Sequence, residues 1–358
     1  MGARAVESQR RHRVSRHLSS VSRPTLRLLR LPPRAVLART RKAVLTFGTF
    51  DGVHRNHQAL LNGLVMSAEA ADAPSVAIVF RPRPSDTRGF GEPKPYVTAE
   101  DETVSLIRGL GVRHVGVLRF DEALANLRAG SFLRRLMARV PFAELRLDSK
   151  ASVGSGPEGS LGSVRRIGER LGFKLVIVEA PISRLTTDNL LDYFDERSLS
   201  QVTDSLGRRY RLPGYVLDRF RPDVGGLASF LVITPKLLVV PRDGPYAALL
   251  RIPSKSQANS RRRGPLHAPA LIEITTSRYG SAGLPTVVAV VRQGTRCLGR
   301  FVSIEFVESV SQSMRETWER ATELLTEETP FEGIGESNRS DPDVGHEPKQ
   351  PRHRPSRP

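Results

Sequence analysis

Between residues 43 and 206, apolar positions fall alternately into short continuous runs and into segments of helical period. AVLTF (43–47), SVAIVF (75–80), HVGVL (114–118), AELRL (143–147) and FKLVIVEA (173–180) read as buried strands. Between them, the spacing predicts helices over 57–71, 98–111, 121–139 and 160–172, then two short helices near 187–194 and 198–206. Thr98 is a candidate N-cap for the second of these helices and Gly111 its C-cap candidate. Alternation of this kind argues for a parallel sheet covered by helices on both faces, with ligands at the carboxyl ends of its strands.

After LGRRYRLPG (206–214) the pattern changes. GYVLDRF, SFLVITPKLLVV, YAALLRI, ALIEITT, TVVAVVRQ and RFVSIEFVESV are β-type runs separated by Pro and Gly, which suggests a small barrel or sandwich. Residues 254–269 lack periodicity and read as a flexible basic loop, 312–328 as a closing helix, and 331–358 as a disordered tail. No internal repeat is visible.

Charge changes the picture at one end. The 358 residues carry a formal charge of +18, and residues 1–42 hold twelve Arg/Lys against Glu7 alone. By composition, that segment fits a transit peptide, a disordered basic arm or a start codon placed too early. A nucleic-acid partner is not expected, because no aromatic-interleaved basic motif, helix-turn-helix pattern or zinc spacing accompanies the charge. Cys297 is the one cysteine, so no internal disulfide forms. No apolar run approaches the roughly 20 residues of a membrane span, and no secretory signal is visible. The expectation is a cytoplasmic protein without a membrane partner.

The chemistry concentrates in LTFGTFDGVHRNHQALL (45–61), a strand breaking at Gly48 and feeding a helix. Such a junction offers free backbone N–H groups and a helix dipole to an anion. Gly48 lets the backbone approach a ligand closely, and Asp51 caps the turn by accepting N–H bonds. His54 and His57, three apart, fit stabilisation of charge on a polyphosphate. Taken alone, two histidines so spaced more often mark a solvated helix start, and spacing suggests no third ligand for a metal pair.

The same residues resemble the G-N-F-D-G-V-H-x-G-H signature of the bacterial bifunctional riboflavin kinase/FAD synthetase (FMN adenylyltransferase) family. SVAIVFRPRP resembles that family's strand ending in F-x-P-H-P, LGVRHVGVLRFDEALANL its next strand and helix, and LGRRYRLPGYV its junction into the kinase module. CLGRFVSIEFVESV resembles the kinase's last strand pair. The resemblance implies an α/β chain: a Rossmann-like parallel-sheet nucleotidyltransferase domain (43–206) and a small riboflavin kinase-like β-barrel domain (207–328). A basic disordered arm (1–42) precedes them and a disordered tail (329–358) follows.

It further implies transfer of AMP from ATP to FMN, giving FAD and pyrophosphate, with magnesium accompanying the nucleotide. Gly48, Phe50, Asp51, His54, His57, Thr186 and Thr187 would then line the nucleotide, with His54 and His57 catalytic. Phe80, Pro82 and Pro84 would shape the flavin side, and no residue is assigned to a metal.

Several motif positions depart from the family. The residue after Gly48 is Thr49, and Asn56 replaces the glycine between the histidines. Asn tolerates a positive φ, so the turn is expected to survive there. Arg83 replaces the histidine of F-x-P-H-P. In the loop DSKASVGSGPEG, anchored on Gly154 and Gly159, Lys150, Ala151, Val153 and Pro157 replace an acidic or amide residue, two aromatics and an arginine. LTTDNLL (185–191) keeps two hydroxyls of I-S-S-T-x-I-R but ends in Leu191; a second register uses Ser183 and Arg184. Each charge-assisted donor lost typically costs about 2–4 kcal/mol of transition-state stabilisation. In the barrel, SFLVITP replaces G-F-P-T-A-N, and the expected catalytic Glu falls on Val287. The kinase half is therefore expected to be inactive. The alternative is a non-catalytic nucleotide- or flavin-binding descendant acting as a partner or regulator.

Overall fold

The structure is a computed structural model that describes residues 42–87, 94–182, 185–224, 226–253, 266–275, 285–292 and 294–310. The expected basic arm (apart from Lys42), most of the 254–269 loop, the closing helix, the tail, Ser183 and Arg184 lie outside the described residues.

The first half is a five-stranded parallel sheet in the order β3-β2-β1-β4-β5. Its strands are β1 (Ala43–Gly48), β2 (Ser75–Arg81), β3 (His114–Arg119), β4 (Phe142–Asp148) and β5 (Lys174–Val178). β1 lies at the centre and is buried on both faces, so its residues read as one apolar run. Alternation still sorts its side chains. Ala43, Leu45 and Phe47 join Val76, Ile78 and Phe80 on one face, under α5 (Ala129–Arg139) and α6 (Leu161–Leu171). Val44 joins Ala77 and Val79 on the other, under α1 (Arg55–Ala70) and α3 (Glu100–Gly109). Strand order reverses between β1 and β4, which places the crevice of an open α/β sheet at the carboxyl end of β1.

Two helix expectations change. Thr98 does not cap α3; the N-cap is Ala99, without a side-chain bond. The Thr98 hydroxyl instead accepts the Gly52 N–H at 3.1 Å. Gly111, with φ +90°, stands one residue beyond the Leu110 C-cap. The helix expected over 121–139 breaks into α4 (Glu122–Ala125) and α5. At the break, Ser155 N–H donates to Leu127 O, and a Cβ on Gly154 would lie 2.6 Å from Ala129 N. The 149–160 loop thus presses against the backbone that would otherwise continue the helix. A further short helix, α2 (Pro84–Thr87), follows β2.

The second half is a closed barrel, not a sandwich, in the order β10-β7-β6-β11-β8-β9. All six expected β-runs become its strands: β6 (Arg211–Val224), β7 (Leu227–Ile233), β8 (Gly244–Ile252), β9 (Leu266–Thr275), β10 (Thr286–Arg292) and β11 (Phe301–Ser309). Alternation again decides which side chains enter. In β10, Val287, Ala289 and Val291 fill the interior cluster, while Val288 and Val290 pack outside with Leu271.

The helices α7 (Thr187–Asp195) and α8 (Leu199–Leu206) precede the barrel, and they pack into its core. Leu190, Phe194, Leu199, Val202 and Leu206 belong to the barrel's cluster, with Phe194 edge-on to Tyr210 at 4.6 Å. Tyr96, from the first half, forms a parallel bridge with Leu238. The two halves therefore share one apolar interface. Among the described residues, no helix is long and apolar enough to cross a membrane.

Candidate active site

The β1–α1 turn is built under backbone strain. Phe50 has φ 46°, Gly52 φ 73° and Val53 φ 43°. Left-handed φ is rare for a β-branched residue, and such positions cost about 1–3 kcal/mol each, so the surroundings must hold them. Phe50 turns its ring inward, where a Cβ on Gly48 would just touch it at 3.4 Å. Gly52 is packed against Val97, Leu190 and Leu206. The Val53 carbonyl accepts from Gln58 Nε2, which also reaches Leu206 O and so ties the turn to α8.

The two histidines come together. Their rings stack 3.7 Å apart, 15° from parallel, with Phe50 edge-on to His57 at 5.3 Å. His54 is the N-cap of α1, and its Nδ1 accepts the His57 N–H over a long 3.5 Å. Burial pushes the His54 imidazole down to about 4, with the nearby Arg208 adding to it. Burial also holds His57 well below its usual value, as does its neighbour His54. Both rings are thus neutral near pH 7. His57 Nδ1 is buried and has no hydrogen-bond partner among the described residues.

Asp51 accepts backbone N–H bonds, as its residue type suggests, but from Val97 and Thr98 rather than from its own turn. Its carboxylate is fully buried and faces Arg83 at 3.5 Å and Arg81 at 4.0 Å. Both guanidiniums also stack on the Tyr96 ring, at 4.2 Å for Arg81 and 4.1 Å for Arg83. Arg83 donates further to the Lys94 and Pro95 carbonyls. This residue, in place of a histidine, is committed to holding the 94–98 segment. Sequence reading missed Arg81, Arg83, Val97 and Thr98 as partners of Asp51, because no local spacing links positions 30 to 47 residues apart.

Asn56 occupies an ordinary helical position with no positive φ, so the turn does not depend on Asn's left-handed tolerance. Its carboxamide spans to the β5–α7 connection. Nδ2 donates to the carbonyls of Ile182 at 2.8 Å and Leu185 at 3.0 Å, and Oδ1 accepts the Ile182 N–H at 3.0 Å. Thr186, next in the chain, caps α7; its hydroxyl accepts Asn189 N–H and bonds Asn189 Oδ1 at 2.6 Å. Thr187 opens that helix, and Leu191 packs toward the barrel cluster.

On the opposite face, Phe80 joins Phe47, Phe120 and Phe132 in an aromatic group with centroid separations of 5.6–6.2 Å. Pro82 is exposed and Pro84 half-buried at the start of α2. Val153, where the family carries an aromatic, is buried under the same cluster. Lys150 is exposed, its N–H bonded to Asp148.

A parallel sheet with an imidazole pair at its switch point, joined to a closed barrel, defines a two-module protein with a nucleotidyltransferase-type fold. A family model described as FAD synthetase matches residues 37–185. The bifunctional riboflavin kinase/FMN adenylyltransferase of Escherichia coli (strain K12) is 28% identical over 180 residues, covering 49% of this chain and 57% of the relative. That of Pseudomonas fluorescens is 29% identical over 183 residues, covering 49% and 58%. A putative bifunctional riboflavin kinase/FMN adenylyltransferase of Geobacillus thermodenitrificans is 32% identical over 124 residues, covering 35% and 67%. The chain belongs to this FAD synthetase family as a divergent member. It spans a little over half the length of the Escherichia coli relative. A crystal structure of a macrolide-efflux protein from Streptococcus pneumoniae shares the fold, with TM-score 0.67 and 14% identity, covering 83% of this chain and 97% of that one.

Proposed function

We propose that the sheet module is a cytoplasmic FMN adenylyltransferase, taking ATP with its magnesium and FMN and giving FAD and pyrophosphate. The observation that carries this is the stacked His54–His57 pair at the switch point, with His57 Nδ1 buried and unpartnered. A phosphate oxygen of FMN attacks the α-phosphorus of ATP. A new P–O bond forms, the bond to the β-phosphate oxygen breaks, and that oxygen leaves with the electron pair on pyrophosphate. The imidazoles face the charge that builds during this exchange. An arriving triphosphate favours the imidazolium form, so a proton is taken up by the pair as the nucleotide binds. The aromatic group around Phe80 is the apolar surface proposed for the flavin. Gly48, Phe50 and Asp51 act by shaping and bracing the turn, and Thr186 and Thr187 form the facing wall.

We assign no kinase chemistry to the barrel. The position expected to carry its catalytic carboxylate is Val287, buried in the interior opposite Val232 and Ile274.

A second reading, a non-catalytic nucleotide- or flavin-binding module, is favoured by the motif departures: Arg83 is committed to the Lys94 and Pro95 carbonyls, Val153 is buried in the sheet's apolar cluster and Leu191 packs toward the barrel. Incubating the full chain with labelled ATP, magnesium and FMN separates the two. Turnover to FAD and pyrophosphate that falls by roughly 10²-fold or more in His57→Ala supports the enzyme. ATP binding with no FAD formed supports the module. Full activity in His57→Ala would remove the imidazole pair from the reaction.

A further inference from the structure

The strained β1–α1 turn is held from the barrel side. A Cβ on Gly52, where φ is 73°, would lie 3.2 Å from Val97 Cγ1 and 3.3 Å from Cδ2 of both Leu190 and Leu206. All three of those side chains belong to the barrel's apolar cluster. The Asp51 carboxylate takes the Val97 N–H at 3.0 Å and the Thr98 N–H at 3.1 Å, and the Thr98 hydroxyl takes the Gly52 N–H. One residue earlier the chain pairs with the barrel instead. Tyr96 N–H donates to Leu237 O at 2.7 Å, and Val239 N–H donates to Tyr96 O at 2.8 Å. Leu238 and Val239 are buried in the barrel cluster, and Val239 O accepts the Tyr210 hydroxyl. Residues 96–98 are thus a strut, with one end paired to the barrel and the other to the turn. Beyond the turn, Arg55 Nε donates to Asp204 O and Gln58 Nε2 to Leu206 O, both on α8. Left-handed φ at Phe50 and Val53 persists only where the surroundings over-determine it. Here the half with no reaction assigned to it supplies those surroundings.

We infer that the barrel serves as a brace for the histidine turn: through the 96–98 strut and α8, its core fixes Gly52 and so the angle at which His54 and His57 enter the crevice. The inference rests on the reading of this crevice as a transferase site. Tyr96 and Val97 are positioning residues, acting on the reaction through the turn they hold. Displacing a reacting group by about 1 Å costs on the order of 100-fold in rate, so a slack strut is expressed in the chemical step more than in nucleotide binding.

The test uses the full chain with Leu238→Ala on the barrel side and Val97→Ala in the strut. Val288→Ala is the control, since it trims the barrel's outer cluster away from the strut. Gly52 amide protection is read by hydrogen exchange relative to Ile78 in β2, which separates a loosened turn from opening of the whole sheet. FAD formation from ATP, magnesium and FMN gives kcat and KM. In Leu238→Ala and Val97→Ala, Gly52 is expected to lose about 10-fold or more of its protection relative to Ile78. kcat should fall by about 10-fold or more while KM for ATP stays within about three-fold. Val288→Ala should change neither. Should Leu238→Ala fail to fold, the smaller truncation Val97→Ala decides. Unchanged Gly52 protection would show that the barrel does not hold the turn, as would equal losses in Val288→Ala. Lost protection with kcat unchanged, in a parent chain that forms FAD, sinks the brace as a positioning device and leaves the transferase reading standing. If the parent chain forms no FAD, the transferase reading falls and the positioning role with it.

Discussion

At the carboxyl edge of the sheet the chain buries a carboxylate, a guanidinium, an imidazole and a carboxamide; in the barrel it buries hydrocarbon, aromatic rings and one thiol. Among the described residues, every buried polar or charged side chain lies between Thr46 and Ser205, and none comes from a barrel strand. The two tyrosine hydroxyls of the barrel cluster end on the carbonyls of Val239 and Arg242. Buried polar groups cost stability unless fully partnered, and they concentrate where a protein does chemistry. An apolar interior is maintained by volume and alternation alone. The comparison teaches that one half keeps strained, buried polar and titratable residues, while the described interior of the other half holds no carboxylate.

The largest test of that contrast is Val287→Glu, which places the family's expected acid at the interior register. An unpaired buried carboxylate carries a penalty of several kcal/mol, so the barrel is expected to lose cooperative unfolding in a thermal melt. A folded variant that phosphorylates riboflavin would overturn the distinction between the halves.

Next is Asp51→Asn. It leaves the guanidiniums of Arg81 and Arg83 without the carboxylate they face. Breaking one side of a buried ion pair costs about 3–5 kcal/mol, so the denaturation midpoint should drop sharply with the m-value unchanged. A loss below about 1 kcal/mol would place Asp51 with ordinary exposed pairs.

The smallest effect is a pH dependence. His54 is held at about 4 when folded, against 6.5 for an unperturbed histidine. Its neutral form belongs to the folded state, so its contribution to stability is complete above pH 6.5 and is lost as pH falls toward 4. The loss corresponds to about 3 kcal/mol. His57 acts with the same sign. Denaturant titrations of the parent chain and His54→Gln at pH 7.5 and 4.5 isolate it from the carboxylates. The parent should lose more stability than the variant between these values; equal losses would mean that the ring is protonated as easily when folded as when free.

The sheet strands were legible because each is a short apolar run, and the barrel because its β-type runs are separated by Pro and Gly; β10, a continuous apolar run, shows which side chains enter only in the structure. The histidine pair was legible because it sits within one helical turn. The break between α4 and α5 was not, since it is made by Gly154 and Ser155 arriving from 25 or more positions away. Nor was the cap of α3, because Asp51 and Gly52 had taken Thr98 first.

Sequence by itself determined which segments become strands and helices, that the first half forms a parallel sheet and the second a β-structure, and where along the chain the candidate chemistry lies. Those are properties of local period, read over a few residues. Tertiary structure decided which partner each polar side chain takes: Asp51 with Arg81 and Arg83, Asn56 with a connection 126 positions away, and α7 and α8 with the barrel. A buried polar group must be satisfied by whatever the fold brings within about 3 Å of it, and that neighbour has no fixed distance along the chain.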